Sequence, residues 1–305
     1  MPSLSRIEIF LEVAKYKSFS SASKALGITG PAASKQVAAL EEELGVKLLM
    51  RTTRMVNLTE DGAQYYERAR LALEELKDAA DQLQDTKTSP KGLLRINAPL
   101  SFGQMHLMPV LSGFAQKYPD LQMDVSLDDR MLDVIAEGFD VVIRVGVLSD
   151  SSLVARPLAP CPIYAVASPT YLATHGVPKH PGELKHHRII TYANQGAIGE
   201  WKYKDTQGKT GFVRLEGAFR SNNAEMMLTA ALDGVGIAIL PGFTVATRLA
   251  AGQLVHILEG FETFPQRQIT ALMPPNRYRS AKVKLFMDWL LAACRAMPLQ
   301  LEPVK

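Results

Sequence analysis

Hydrophobic positions recur at helical spacing through the first part of the chain. Leu4, Ile7, Phe10, Leu11 and Ala14 form one stripe and predict a first helix. In the next stretch, SFSSASKALG, Ser20 is the expected cap of a short second helix with Ala22, Ala25 and Leu26 inward. Gly27 supplies the left-handed residue that ends it. A third helix follows, with Thr29 as cap and Pro31 tolerated in the first turn. Its Ala33, Val37, Leu40 and Leu44 recur at offsets of four, three and four. Two short helices joined by a tight turn containing glycine make a helix-turn-helix pattern. After Gly45, Val46, Leu48 and Leu49 on one side and Met55, Val56 and Leu58 on the other flank RTTR, which predicts two short strands around a basic tip.

The inward stripe of the third helix fixes its outward face as Pro31, Ser34, Lys35 and Ala38, all small, polar or basic. Such residues in the first turns of a second helix suit base edges, and the helix N-terminal amides suit phosphate. The same helix ends on three acids, Glu41 to Glu43, so its charge runs one way. From Met1 to Thr59 eight basic residues stand against five acidic ones, and Lys47, Arg51 and Arg54 gather in the strand pair. A basic wing of this kind suits the phosphate backbone and the minor groove.

Thr59 followed by Glu60 and Asp61 predicts a strong helix start, and the helix meets no glycine or proline between Gly62 and Pro90. Tyr66, Ala69, Leu73, Leu76, Ala80 and Leu83 alternate at spacings of three and four, a heptad stripe suited to pairing with a second copy. Packing onto its own domain is the alternative for a stripe this short.

Beyond TSPKG the pattern changes to alternating strand and helix. Strands are expected at LLRINAP, LQMDVSL, FDVVIRVG, LVARPLAPCPIYAVAS, RIITYA, GFVRLEGAFRS, GVGIAILP, LVHIL and RQITALMP. Helices are expected over Gly103 to Tyr118, Met131 to Glu137, Glu225 to Asp233 and Ser280 to Met297. This alternation implies an α/β fold with a parallel or mixed sheet and helices on both faces. Ligands of such sheets sit beyond the carboxyl ends of strands. That rule selects Ser101 and Phe102, Asp128 to Arg130, Arg144, Tyr192 and Asn194, Ser221 and Asn222, and Pro241 to Phe243. Helix N-terminal amides together with Arg144 favour an anionic small molecule.

The motif order S-F-S-x-A-S-x-x-L, S-x-Q-x-x-x-L-E, L-G, L-x-x-R-T-T-R and L-T-x-x-G covers Phe10 to Gly62 and resembles the winged helix-turn-helix of the LysR-type transcriptional regulators. The linker helix and later domain follow in that family's order. The resemblance implies an N-terminal all-α winged helix-turn-helix over 1–59, a linker and dimerisation helix over 60–88, and a two-subdomain α/β effector domain, like a periplasmic binding protein, over 89–305. Subdomain I is expected at 92–163 and 268–300, and subdomain II at 164–267. It further implies DNA contacts at Pro31, Ser34, Lys35 and Arg54, and Thr29, Gln36 and Arg51 beside them are the remaining DNA-binding candidates. The expected partners are double-stranded DNA bearing an interrupted palindrome, a small-molecule effector, and the chain itself as a homodimer or a tetramer built as a dimer of dimers. Gly30 and Leu49-Met50 depart from the usual pattern and bear on base preference.

Composition narrows the rivals. The formal charge of +3 over 305 residues identifies no partner by itself. No apolar run is long enough to span a bilayer or act as a signal peptide, so a cytoplasmic protein is expected. His175, His180, His186 and His187 cluster, but their spacing fits no helical ligand pair, and neither metal nor cofactor is expected. An enzyme is the rival class, yet no nucleophile elbow, phosphate loop or H-E-x-x-H is present. Cys161 and Cys294 leave open a redox-responsive or effector-independent regulator, and a solute-binding module without DNA affinity is the remaining alternative.

Overall fold

The computed structural model describes residues 2–51, 56–83, 91–130, 133–147, 151–193, 199–295 and 297; the side chains of 51, 74, 75, 77–83 and 279 lie outside that description. The chain forms two compact units, Met1–Lys87 and Thr88–Lys305.

In the first unit α1 (Leu4–Tyr16) is capped by Ser3 and α2 (Phe19–Leu26) by Ser18, not by Ser20. Ser18 has extended backbone, and its hydroxyl accepts from the Ser21 amide. Phe19 can then pack against the core as the first helical residue. The inward positions shift accordingly. Ala22 and Ser23 are buried, Ser23 by donating its hydroxyl to the Phe19 carbonyl at 2.6 Å, whereas Ala25 is exposed. Gly27 ends α2 with a φ of 67°.

α3 (Gly30–Leu44) starts on Thr29, whose hydroxyl accepts from the Ala32 amide. β1 (Leu49–Arg51) and β2 (Val56–Leu58) pair antiparallel, and the tip between them lies outside the described residues. α4 (Glu60–Leu83) begins where the Thr59 hydroxyl accepts from the Gly62 amide at 2.9 Å and donates to the Lys47 carbonyl at 2.6 Å. A Cβ at Gly62 would lie 1.9 Å from the Leu48 carbonyl oxygen, so only glycine lets α4 approach β1 this closely. Phe10, Val13, Ala22, Ala33, Val37, Leu40 and Leu48 form a fully buried core.

The second unit runs β3 (Gly92–Ala98), α5 (Leu100–Phe102), a π-helical turn (Gly103–Leu107), α6 (Met108–Lys117), β4 (Leu121–Leu127), β5 (Val141–Gly146), β6 (Val154–Cys161), β7 (Ile163–Ala167) and α7 (Pro169–His175). It continues with β8 (Ile189–Tyr192), β9 (Gly199–Asp205), β10 (Thr210–Leu215), β11 (Gly217–Ser221), α8 (Ala224–Leu232), β12 (Ile237–Pro241), α9 (Gly242–Ala250), β13 (Val255–Ile257), β14 (Phe261–Thr263), β15 (Arg267–Met273) and α10 (Ala281–Cys294).

Two mixed five-stranded sheets result, ordered β4-β3-β5-β15-β6 and β11-β8-β12-β7-β13, with a small antiparallel sheet β10-β9-β14. β15 enters the first sheet antiparallel between β5 and β6, so the C-terminal segment completes the first half. α10 then packs on α6, with Phe114 and Phe286 rings 5.3 Å apart and the Trp289 indole donating to the Val110 carbonyl. The chain crosses between the two large sheets after β6 and returns before β15. The second sheet therefore begins at Ile163 and the first resumes at Arg267, each one residue before the boundary read from the sequence.

Several expected elements differ. The helix expected over Met131 to Glu137 is a turn over 134–138, because the Asp133 carboxylate takes the Ile135 and Ala136 amides and closes a local turn instead of a helix; residues 131 and 132 lie outside the described residues. GFVRLEGAFRS divides into β10 and β11, which belong to different sheets. The first helix of this unit starts at Leu100 rather than Gly103, and α10 ends at Cys294 rather than Met297. α7, α9, β9 and β14 are additional elements.

Candidate functional site

Two regions gather the chemistry. In the first unit, Pro31 and Lys35 stand exposed on α3, Ser34 is half-buried, and Thr29 serves as the cap. Gln36 instead faces α1, where it accepts from the Arg6 guanidinium at 3.2 Å. Arg51 lies in β1 opposite Val56, its side chain outside the described set, and Arg54 falls wholly outside the described residues.

The acidic end of α3 is held by the protein. Glu41 is only 5% exposed; its Oε1 accepts from the Leu48 and Leu49 amides at 2.9 and 3.0 Å, and its Oε2 from Lys47 Nζ at 2.8 Å. Burial alone would raise this carboxyl, but the Lys47 ammonium and the two amides outweigh it and hold it below the usual carboxylate range. Glu43 pairs with Arg6 at 3.0 Å. Two of the three acids are thus engaged within the unit, while the basic and hydroxylated turns remain outward.

The heptad stripe of α4 divides. Ala69 is buried in the first unit's own core, and Tyr66 and Leu73 pack against it, so these three positions are occupied within their own domain. Leu76 is 52% exposed, and the side chains of Ala80 and Leu83 lie outside the described set.

In the second unit a cavity of about 240 Å³ opens between the two large sheets, lined by Ser101, Phe102, Arg144, Pro241 and Phe243 among others. These five expected residues come together although they derive from β5 and from the ends of β3 and β12. Phe102 and Phe243 meet edge to face at 5.5 Å, and His106 Nε2 lies 2.9 Å from the Phe243 carbonyl oxygen, tying the helix after β3 to α9. Ser221 and Asn222 do not line the cavity. Ser221 is buried, with its hydroxyl accepting from the Asn223 amide, and Asn222 is exposed. Asn194 lies outside the described residues.

Arg144 is heavily engaged. Its Nη1 donates to Asn97 Oδ1 at 2.6 Å and to the Ile143 carbonyl, and its Nη2 donates to the Arg130 carbonyl. Burial lowers its pKa against the pull of Asp128 and Asp129. Asp129 also lines the cavity; burial raises it, opposed by hydrogen bonds from the Tyr192 hydroxyl and the Leu100 amide. That pairing joins the loop after β4 to the end of β8. Trp201, Met227 and Ile239 supply apolar wall, and Thr191, Glu200, Thr263 and Arg267 supply polar atoms. The strand-end rule points to Asp129 and Tyr192, whereas Trp201 lies in the small antiparallel sheet and Arg267 on a strand whose partners are distant in sequence.

The histidines of the loop act as local partners. His180 accepts from the Gly182 amide, His175 stacks on Tyr171 at 4.3 Å, and His187 Nδ1 lies 3.2 Å from the Tyr171 hydroxyl. No helix among the described residues is long and apolar enough to cross a membrane.

Comparison with known proteins agrees with both regions. Residues 4–63 match the family described as bacterial regulatory helix-turn-helix protein, lysR family, and residues 87–295 match the LysR substrate binding domain. An uncharacterized HTH-type transcriptional regulator of Escherichia coli, YhjC, is 35% identical over 95% of this chain and 97% of its own length. The solved structure of CrgA, a LysR-type transcriptional regulator from Neisseria meningitidis, is 30% identical and matches with a TM-score of 0.62, covering 95% of this chain and 98% of that one. The Vibrio cholerae virulence activator AphB, also solved at full length, is 30% identical with a TM-score of 0.59 over 95% and 99% of the two chains. The helix-turn-helix and the cleft domain are thus both matched, along nearly the whole length, and the chain belongs to the LysR-type family of DNA-binding transcriptional regulators.

Proposed function

We propose that this regulator reads DNA with Pro31, Ser34 and Lys35, the outward turns of α3, while Arg51 and Arg54 of the wing lie along phosphates. Thr29 contributes as the cap that fixes the start of the helix by accepting from the Ala32 amide, and Gln36 acts through Arg6 rather than on a base. The observation that carries this reading is the treatment of the acidic end. Glu41 is buried on the Leu48 and Leu49 amides and Glu43 is tied to Arg6, so two of the three acids at the far end of α3 are held by the protein, away from the outward first turns. The helix therefore enters the groove with its N-terminus inward.

The cleft around Ser101, Phe102, Arg144, Pro241 and Phe243 takes a small organic effector. Pairing through the later part of α4, with Leu76, Ala80 and Leu83, gives a homodimer; two such dimers form a tetramer on an interrupted palindrome. The effector acts by binding two arrangements of the subunits with different affinity. A redox mechanism has less support. Cys161 and Cys294 are both buried, and burial raises their thiols to about 12 and about 11, far from the thiolate that reacts.

The test is a gel shift on the DNA upstream of the regulator's own gene, combined with mass by size exclusion. Lys35→Ala is expected to lose affinity and, where it reaches a base, to relax preference at one half-site position. Unchanged binding in Lys35→Ala and Ser34→Ala would refute the reading face.

A further inference from the structure

We propose that Arg267, and not Arg144, is the anion anchor of the cleft, and that the effector is a small monocarboxylate with an apolar body. Its carboxylate sits on the Arg267 guanidinium and its body lies against Phe102, Trp201 and Phe243. This rests on the cleft being the effector site.

Two guanidiniums line the cavity, and they differ in what already holds them. Arg144 spends its donors on Asn97, Ile143 and Arg130 and lies near Asp128 and Asp129. Arg267 opens β15, paired in the sheet with Cys161 of β6. Among the described residues, no hydrogen bond or ion pair of its guanidinium is formed. Burial depresses its pKa, and the group that opposes this is the Cys161 thiol, which is itself pushed up to about 12 and so carries no charge near neutrality. A guanidinium stays protonated in proteins, so this is a charge held partly out of water with no carboxylate counter-charge paired to it among the described residues; Glu259 and Glu262 line a second cavity that Arg267 shares, but neither forms an ion pair with it.

The acids of the cavity do not supply one. Asp129 takes hydrogen bonds from Tyr192 and Leu100, and Glu200 sits 3.5 Å from Lys202 Nζ. An anion from solution does, and a carboxylate fits the fork of a guanidinium with two parallel hydrogen bonds. Charge count limits the class further: a second carboxylate on the ligand would enter a cavity already lined by Asp129 and Glu200. Volume limits the size, since a cavity of about 240 Å³ suits a small ligand. A branched aliphatic or single-ring acid matches both limits.

The experiment uses the full chain with benzoate and 3-methylbutanoate, each beside its neutral amide. Thermal shift and titration calorimetry read binding, and hydrogen exchange reads its place. Both acids are expected to stabilise the wild type, with new amide protection at 98–103 and 189–193, and the amides to bind at least tenfold more weakly. Arg267→Met is expected to weaken acid binding by about 10- to 100-fold, the loss of a charge-assisted pair, with Arg267→Lys recovering part of it. Equal binding of acids and amides to the wild type overturns the anchor without needing any variant to fold, and protection still confined to the cleft then leaves the effector site standing. Loss of acid binding in Arg144→Met but not in Arg267→Met overturns the assignment. Stabilisation by neither acid overturns the ligand class, and protection elsewhere in the chain sinks the cleft reading itself.

Discussion

Glu41→Ala is the sharpest test of how α3 is oriented. The substitution removes the acceptor of two amides, those of Leu48 and Leu49, in a site where the carboxylate is 5% exposed. Each buried donor left unsatisfied costs about 1–3 kcal/mol. Lys47 is 76% exposed, so its ion pair adds at most about 1 kcal/mol. The expected loss is therefore about 2–7 kcal/mol in the first unit. Glu41→Gln keeps an oxygen for the amides but loses the charge and turns an NH₂ toward the lysine, for an expected cost of about 1–2 kcal/mol.

The acid response separates the variants. The folded carboxyl lies below its ordinary 4.5, so its stabilisation is complete above that value and is lost as pH falls through the folded pKa. The gap between wild type and Glu41→Gln should thus close on acidification. Thermal unfolding followed by calorimetry reads it, since about 1 kcal/mol moves the midpoint of a unit this size by roughly 4–8 °C. An alanine variant melting within about 2 °C of the wild type, or a gap independent of pH, refutes the reasoning.

Arg54→Ala should weaken DNA binding and lower the slope of log affinity against log salt by about one, measured by fluorescence anisotropy; an unchanged slope removes the wing from the phosphates. Asp140, which accepts from the Arg95 amide and lies 3.5 and 3.9 Å from the buried Arg277 and Lys282, anchors the first sheet. Its replacement by alanine should cost the second unit about 3–5 kcal/mol by urea melt, because two cations stay behind. Leu76→Glu should lower the mass seen by light scattering with little change in melting temperature, since the side chain is half exposed in one copy. Cys161 and Cys294 should resist iodoacetamide in native protein at neutral pH and react readily in denaturant; rapid native labelling would contradict their raised thiols.

What was legible in the sequence was whatever local spacing decides. The stripes of α1 and α3 and the strand-helix alternation follow from period alone. The cap of α2 does not, because Ser18 and Ser20 are equally good caps and only the packing of a half-buried Phe19 against the core chooses between them. α9 was illegible for a similar reason. Its GFTVATRLA opens on glycine and carries three β-branched residues, and it is helical because Phe243, Val245 and Ala246 are buried. Met131 to Glu137 fails in the opposite sense, a segment with helical spacing diverted by the Asp133 side chain.

The cleft shows the same limit. Strand ends marked Ser101, Phe102, Arg144, Pro241 and Phe243, but nothing near Arg144 reveals that Asn97 saturates it from 47 residues away. The heptad of α4 reads as a pairing stripe, and no spacing rule tells that its first half meets Phe10 and its neighbours instead.

The size of the Arg267 contact also bounds what the ligand can switch. Reversing a two-state equilibrium from 1:99 to 99:1 takes about 5.5 kcal/mol of differential binding, whereas one charge-assisted pair supplies about 1.5–3 kcal/mol. An anchor that binds equally in both arrangements contributes to affinity and nothing to switching. Arg267 begins β15, where the chain returns to the first sheet, and Ile163 begins β7, where it leaves, so both crossovers line the cavity. A ligand seated there meets the first half through Ser101 and Phe102 of α5 and the second sheet through Thr191 and Tyr192 of β8. Switching must therefore draw on contacts that form only when those walls approach. In Tyr192→Phe, which removes the hydroxyl bound to Asp129, the acid should still bind while its effect on DNA affinity shrinks. A variant that loses both in proportion would place the switch on the anchor itself.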